Sequence, residues 1–198
     1  MPRGKFIVFY GINNVGKTTQ AKSLVKRLKD AGKKAEYLKY PIYDLHPTGI
    51  IFNEYLRGGN PHNLTPREFQ IIAAANRYQY QPELEEKLNQ GITVVAEDYR
   101  GTSIAWGAGA GVRKDFLVRL NEGLLKEDHV FLLDGERFLS ASEKNHRHEA
   151  DNDLTKKVRR IHRQLAQEYG WQEISANQPA EVIEKIVWKT VTKLRMGQ

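Results

Sequence analysis

Short apolar runs along the chain alternate with longer stretches in which apolar residues recur at every third or fourth position. The short runs are rich in β-branched and aromatic residues, as buried strands are. They predict five strands, at residues 5–10, 35–40, 92–96, 129–134 and 171–175.

Helical spacing fills most of the intervals between these strands. Residues 18–31 place their apolar side chains on one face and end at Gly32, which suits the position after a helix. The same spacing predicts further helices at residues 45–57, at residues 154–169 and from residue 179 onward.

The clearest helix start in the sequence is at Thr65. Thr65 and Glu68 form a capping box, and Pro66 takes the first helical position. We expect this helix to end before Pro82, because proline lacks the N–H that a helix interior needs. A separate short helix is then predicted over residues 83–90.

Two stretches show neither pattern. Residues 136–153 are polar, charged and poorly periodic, which predicts a surface loop or lid. Residues 107–111 are rich in glycine but do not follow a strand, so they predict a flexible loop rather than a second nucleotide site.

His146, His148 and His162 lack companion metal ligands and are predicted to be solvated.

The order of these elements indicates the fold class. Strands separated by helices imply an α/β fold with a parallel sheet covered on both faces. The sequence contains neither an internal repeat nor a long linker. We therefore predict one domain over residues 1–198, with a lid at about 136–153.

Composition narrows the class of protein. The chain has 198 residues, a formal net charge of +7 and no cysteine, which excludes a disulfide scaffold, a cysteine zinc site and thiol catalysis. No apolar run approaches the roughly 20 residues of a membrane span, and the N-terminus does not resemble a signal peptide. We expect a cytoplasmic protein without membrane contact, whose basic excess suits anionic partners such as nucleotides or nucleic acid.

The strongest motif lies between the first strand and the first helix. Residues 11–18, Gly-Ile-Asn-Asn-Val-Gly-Lys-Thr, match the phosphate-loop pattern G-x-x-x-x-G-K-[ST] in full. Glycines allow backbone N–H groups to surround a phosphate, and the helix N-terminus adds positive potential. Lys17 is predicted to reach the β- and γ-phosphates of a bound nucleotide, and Thr18 to hold Mg²⁺.

An acidic pair follows the strand at residues 92–96. Glu97 and Asp98 stand where ligands bind in open α/β sheets, so either is a candidate for the magnesium side of the site.

Several segments together resemble the thymidylate kinase family of P-loop nucleoside monophosphate kinases. In the family's order, they are residues 6–20, 74–78, 87–95, 147–149 and 174–179. The likeness spans almost the whole chain. It implies a three-layer P-loop NTPase fold, with a parallel five-stranded sheet between helices and a small lid, and it implies phosphoryl transfer.

The resemblance also implies which residues bind the two nucleotides. Lys17, Glu97 and Arg147 would be catalytic, Arg147 acting from the lid, and Thr18 with Glu97 would hold Mg²⁺. The residues implied for ATP are Gly11, Asn13, Asn14, Val15, Gly16, Lys17, Thr18, Thr19, Asn177 and Gln178. The residues implied for the acceptor nucleotide are Tyr43, Ala73, Arg77, Gln81, Asp98, Tyr99, Arg100, Thr102 and Trp106.

The acceptor side departs from the family pattern. The family usually has an acid at Asn13, a phosphate-binding arginine at Tyr43, an arginine at Asp98 and a base-stacking phenylalanine at Ala73. Two missing arginine contacts, at about 1.5–3 kcal/mol each, would weaken acceptor binding strongly unless another cation replaces them. The candidate replacements are Lys39, Arg57, Arg67 and Arg100.

These observations favour a magnesium-dependent kinase that transfers the γ-phosphoryl group of ATP to a pyrimidine deoxynucleoside monophosphate, with dTMP as the family default. One alternative is a kinase for another acceptor, either a modified-base monophosphate or a nucleoside. A P-loop module that binds nucleic acid is a second alternative, less favoured because the basic residues are scattered. The resemblance also implies a homodimer.

Overall fold

The carboxyl ends of five parallel strands meet along one edge of a single sheet, in a computed structural model that describes residues 2–137 and 151–194. The strands are β1 (Phe6–Tyr10), β2 (Ala35–Lys39), β3 (Thr93–Glu97), β4 (His129–Asp134) and β5 (Gln172–Ser175). Their order is β2–β3–β1–β4–β5, and every neighbouring pair is parallel. Each observed strand begins and ends within one residue of its prediction.

Seven helices connect and cover the strands in the described part of the chain. They are α1 (Lys17–Asp30), α2 (Thr48–Arg57), α3 (Pro66–Asn89), α4 (Arg100–Gly109), α5 (Lys114–Leu120), α6 (Asn152–Tyr169) and α7 (Ala180–Val191). Among the described residues, none of these helices is both long and apolar enough to cross a membrane.

The central strand β1 separates two hydrophobic layers. Ile7 and Phe9 point to one side, where they join a core that includes Leu24 of α1. Phe6 and Val8 point to the other side and join a core that includes Leu84 and Leu88 of α3. The sheet therefore lies between two layers of helices, which confirms the predicted three-layer α/β fold.

Helix α3 corrects one prediction, because it continues through Pro82 instead of ending there. The missing N–H of Pro82 removes one helical hydrogen bond. Leu84 and Leu88, both fully buried, anchor the following turns against the sheet. Burial of two leucines is worth about 3–6 kcal/mol, enough to retain the helix beyond the proline.

Helices α4 and α5 were not predicted, and the glycine-rich stretch is not a loop at its start. Gly107 and Gly109 lie in the last turn of α4. A Cβ atom on Gly107 would lie 2.7 Å from a methyl of Leu117, and one on Gly109 would lie 2.8 Å from a methyl of Val158. These glycines let α4 approach α5 and α6 closely.

Residues 138–150, most of the predicted lid, lie outside the described residues, and Arg147 lies among them. The helix that follows, α6, begins at Asn152, two residues before its predicted start. The Asp151 side chain caps this helix by accepting a hydrogen bond from the backbone N–H of Leu154 at 2.8 Å.

Candidate nucleotide-binding site

The loop between β1 and α1 has the backbone that its sequence motif requires. Gly11 and Gly16 have backbone φ values of 142° and 89°, which residues other than glycine rarely adopt. A Cβ atom on Gly11 would also lie 2.5 Å from the carbonyl oxygen of Leu133 in β4. The glycines therefore shape the loop and seat it against the sheet.

Lys17, in the first turn of α1, extends back along this loop. Its Nζ donates hydrogen bonds to the carbonyl oxygens of Gly11 at 3.0 Å and Ile12 at 2.9 Å. It also lies 3.6 Å from Oδ1 of Asp98. The lysine is buried but lines the cavity described below, so its charge faces the space enclosed by the loop.

Thr18 and Glu97 bring two oxygen ligands together at the ends of α1 and β3. The Thr18 hydroxyl lies 2.8 Å from Oε2 of Glu97 and 2.9 Å from Oε1. Glu97 also accepts a hydrogen bond from the Tyr37 hydroxyl, and Nζ of Lys39 lies 3.1 Å from Oε1. Burial opposes the ionisation of Glu97, but Lys39, Tyr37 and Lys17 hold its pKa below the usual value.

This pair suits a magnesium ion. Mg²⁺ prefers oxygen ligands and commonly takes one or two from the protein, with phosphates and waters completing its shell. In the described ranges, no group of three or more histidine, cysteine or acidic side chains is placed to hold a metal ion.

Asp98 has a different environment from its neighbour Glu97. Its backbone is left-handed, with φ of 59°, and its Oδ1 accepts a hydrogen bond from the Thr102 hydroxyl at 2.9 Å. Burial raises the pKa of Asp98 despite the nearby Lys17, and the charge of Glu97 raises it further. The surroundings therefore shift the two carboxyl groups in opposite directions, lowering the pKa of Glu97 and raising the pKa of Asp98.

A cavity of about 360 Å³ extends from the loop to α2 and α3, whose side chains line it. This volume lies within the range of small-molecule sites. The predicted site residues that line it are Asn13, Asn14, Gly16, Lys17, Thr18, Thr19, Tyr43, Ala73, Arg77, Glu97, Asp98, Thr102 and Trp106. Most of the residues implied by the resemblance therefore converge on one space.

Arg77 lies at the floor of this cavity. Its side chain is buried and its Nη1 donates to the carbonyl oxygen of Ala73 at 2.7 Å. Its buried Nε has no hydrogen-bond partner among the described residues. Burial lowers the pKa of Arg77, but a guanidinium remains charged. A buried, incompletely satisfied donor next to a cavity indicates a ligand with an acceptor atom.

Three residues predicted for the acceptor site do not line this cavity. Gln81 bonds instead to the backbone of Gly123 and Leu125, its Oε1 accepting from the Leu125 N–H at 2.8 Å. Arg100 pairs with Glu127, its Nε donating to Oε2 at 2.8 Å. Tyr99 is fully buried, because its ring packs 5.0 Å from that of Phe6, and it does not line the cavity.

The remaining predicted residues lie near the loop. Gly11 and Val15 are buried behind the cavity surface. Asn177 and Gln178 follow β5 at the same edge of the sheet as the loop. The Asn177 Oδ1 accepts from the backbone N–H of Glu136 at 2.9 Å, and the Gln178 side chain donates to the carbonyl oxygen of Ser175 at 3.1 Å.

The candidate replacement cations divide into two groups. Lys39 and Arg57 line the cavity. Arg67 lies over the ring of Phe116 at 4.4 Å, and Nη2 of Arg100 lies 2.6 Å from a carboxylate oxygen of Glu127, so neither of them does.

Several aromatic and polar residues of the cavity are not marked as site residues by the sequence. Phe69 of α3 and Phe52 of α2 line it, with ring centroids 4.6 Å apart, and the Ser103 hydroxyl donates to Gln70. The four-residue spacing of Phe69, Ala73 and Arg77 was the available signal, because it places all three on one face of a helix.

Comparison with known proteins identifies the family. A model of the thymidylate kinase family matches residues 9–187. The thymidylate kinase of Plasmodium falciparum is 30% identical over 98% of this chain and 92% of its own length, and that of Dictyostelium discoideum is 29% identical over 91% and 82%. The solved structure of Candida albicans thymidylate kinase has the same fold, with a TM-score of 0.85 at 21% identity, and the match covers 98% of this chain and 93% of that one. Because the family match spans most of the sequence and a 30% identical relative aligns along nearly all of it, the chain belongs to the thymidylate kinase family.

Proposed function

We propose that the protein transfers the γ-phosphoryl group of ATP to dTMP, producing ADP and dTDP. One observation carries this proposal: a complete phosphate loop opens into the same cavity as a buried arginine with an unsatisfied donor. The first feature suits a nucleoside triphosphate, and the second suits the carbonyl edge of a base. The family supports both assignments.

The donor nucleotide would occupy the loop side of the cavity. The loop amides, the N-terminus of α1 and Lys17 would hold the phosphates of ATP, and Asn177 with Gln178 would border adenine. Lys17 is positioned for this role by its bonds to two loop carbonyls.

Thr18 and Glu97 would hold Mg²⁺, which would neutralise charge on the phosphates of the bound nucleotide. Neighbouring side chains hold the Glu97 carboxylate in place and keep it ionised. Tyr37 and Lys39 contact Glu97 and favour its ionised form at neutral pH.

The acceptor would occupy the side formed by α2, α3 and α4. Arg77 would donate to a carbonyl oxygen of thymine, and Tyr43, Ala73, Thr102 and Trp106 would surround the nucleotide. Asp98 lies on the same side, where its Oδ1 accepts a hydrogen bond from the Thr102 hydroxyl.

The reaction needs alignment and charge stabilisation rather than a covalent enzyme intermediate. An oxygen of the dTMP phosphate forms a bond to the γ-phosphorus of ATP. The bond between that phosphorus and the oxygen bridging to the β-phosphate breaks, and ADP leaves with the electron pair. Lys17 stabilises the charge that develops, and we propose that Arg147 does so from the lid.

A coupled assay of ADP release tests the proposal. We expect turnover with dTMP well above that with other nucleoside monophosphates, with thymidine or with no acceptor. Lys17→Ala should lower kcat/KM at least 100-fold, whereas Lys29→Ala, at an exposed site on the same helix, should leave it unchanged. Equal rates with and without dTMP would refute the function, and preferential turnover of thymidine would favour the alternative acceptor.

The homodimer and the cytoplasmic location are part of the same proposal. Ile71 and Tyr78, seven residues apart on α3, are exposed, and so is Ile50 on α2. These side chains support association through α2 and α3, which light scattering of the purified protein tests. A nucleic-acid-binding module is not favoured by the comparisons.

A further inference from the structure

The cavity holds an arginine that the phosphate-loop motif does not account for. Arg57 is the last residue of α2, at the exposed rim of the cavity. Its Nη1 donates to the Tyr43 hydroxyl at 2.8 Å and contacts Oδ1 of Asn53 at 3.4 Å. The guanidinium also lies 5.0 Å from the centroid of the Tyr43 ring.

Tyr43 itself is held firmly. Its ring packs edge-on against Phe52 at 6.3 Å. Its backbone lies against the first turn of α2, where a Cβ atom on Gly49 would come within 2.2 Å of the Tyr43 carbonyl oxygen. Tyr43 is therefore packed against α2, and its hydroxyl is one of the contacts that position the Arg57 guanidinium.

The other cations of the described cavity lining occupy other parts of the cavity. Lys17 bonds to the phosphate loop, Lys39 lies against Glu97, and Arg77 is buried at the floor, where it bonds to Ala73. A nucleobase belongs at a buried floor, whereas a phosphate dianion retains part of its hydration and belongs nearer the rim. Arg57 is the arginine at that rim.

We propose that Arg57, positioned by Tyr43, binds the 5′-phosphate of the acceptor monophosphate. A guanidinium is always charged and presents a planar set of N–H donors that matches phosphate oxygens. In this protein the guanidinium belongs to Arg57 at the end of α2, and it donates a hydrogen bond to the hydroxyl of Tyr43 in the segment before that helix. This inference rests on the proposed function, because it assumes an acceptor that carries a phosphate.

A binding cycle with two ligands and two proteins isolates this contact. The dissociation constants of dTMP and thymidine are measured by calorimetry for the parent protein and for Arg57→Gln. We expect Arg57→Gln to weaken dTMP binding by about 10- to 100-fold, as expected for loss of a charge-assisted contact, and to change thymidine binding less than twofold. ATP binding should also change less than twofold.

Three further variants test position and charge. Arg57→Lys should recover part of the lost dTMP affinity, because it restores the charge without the planar donors. Tyr43→Phe should weaken dTMP binding severalfold more than it weakens thymidine binding, since it removes the hydroxyl that contacts Arg57. Arg67→Gln is the matched control outside the cavity and should leave both constants unchanged.

Specific outcomes overturn the inference. Equal weakening of dTMP and thymidine would show that Arg57 only maintains the fold. A dTMP constant within twofold of the parent would also overturn it, as would a phosphate-specific loss found in Lys39→Gln instead. If the parent neither binds nor phosphorylates dTMP, the proposed function fails and the inference fails with it. An active parent with an unaffected Arg57→Gln variant refutes the inference alone.

Discussion

His162 on α6 should make the stability of the protein unusually sensitive to mild acid. The side chain is 1% exposed, and neither ring nitrogen has a hydrogen-bond partner among the described residues. Its ring lies 6.4 Å from that of Tyr10. Burial, assisted by the charge of Lys17, lowers its pKa from the usual 6.5 to about 3, although a weak contact with the Val158 backbone and the charge of Asp134 oppose the shift.

The sign and size of the effect follow from linkage. Between pH 6.5 and about 3 the unfolded chain binds a proton at His162 and the folded protein does not. The free energy of unfolding therefore decreases as the pH falls through this window, by about 1.4 kcal/mol per unit. Between pH 7.5 and pH 5 the loss attributable to this one residue is about 2 kcal/mol.

Urea denaturation of the parent and of His162→Leu at several pH values between 7.5 and 5 measures this contribution. We expect the stability of the variant relative to the parent to increase by about 2 kcal/mol across the range, because leucine has no proton to bind. The control is His62→Gln, which removes an exposed histidine and should follow the parent. Parallel pH profiles for the parent and His162→Leu would refute the reasoning.

Other expectations concern the site. Tyr37→Phe removes a hydrogen-bond donor to Glu97 and should therefore raise the pKa of Glu97. The acid limb of the pH profile of kcat/KM, measured with Mg²⁺, should then move to higher pH. An unchanged acid limb would contradict this expectation. Gly49→Ala places a methyl 2.2 Å from the Tyr43 carbonyl oxygen, so urea denaturation should show a loss of about 1–3 kcal/mol in the free energy of unfolding. Lys29→Ala, at an exposed site on α1, should show no change. Because Arg77 only donates hydrogen bonds, dTMP should be preferred over dCMP at least tenfold in kcat/KM, and Arg77→Gln should reduce that ratio.

The sheet and the phosphate loop were predictable because their signals are local. The strand residues of β1 and β3 are all buried, so they form continuous apolar runs that need no partner to be recognised. The loop is specified by glycines at fixed offsets and by a lysine and a threonine that follow them. The family resemblance placed most of the cavity lining from separate segments.

The errors arose where distant contacts outweigh local preference. Pro82 is tolerated because buried leucines hold the turns after it. His162 was predicted to be solvated, yet it lies on the same face of α6 as Val158 and Leu165, both fully buried. That spacing was visible in the sequence, but the charged residues around it concealed the apolar face. The contact between Arg57 and Tyr43 joins side chains 14 residues apart, and no pattern in the sequence marks it.

The continuity of α3 has a consequence for how the acceptor site can change. Ala73 and Arg77 in its first half line the cavity, while Leu84 and Leu88 in its second half are packed beneath the sheet. Because one continuous helix carries both the cavity residues and the core leucines, the floor of the cavity cannot shift without disturbing the hydrophobic core. We therefore expect changes in acceptor specificity to arise in the opposite wall, which is formed by α2 and the segment before it. Substitutions there leave the phosphate loop and Lys17 in place.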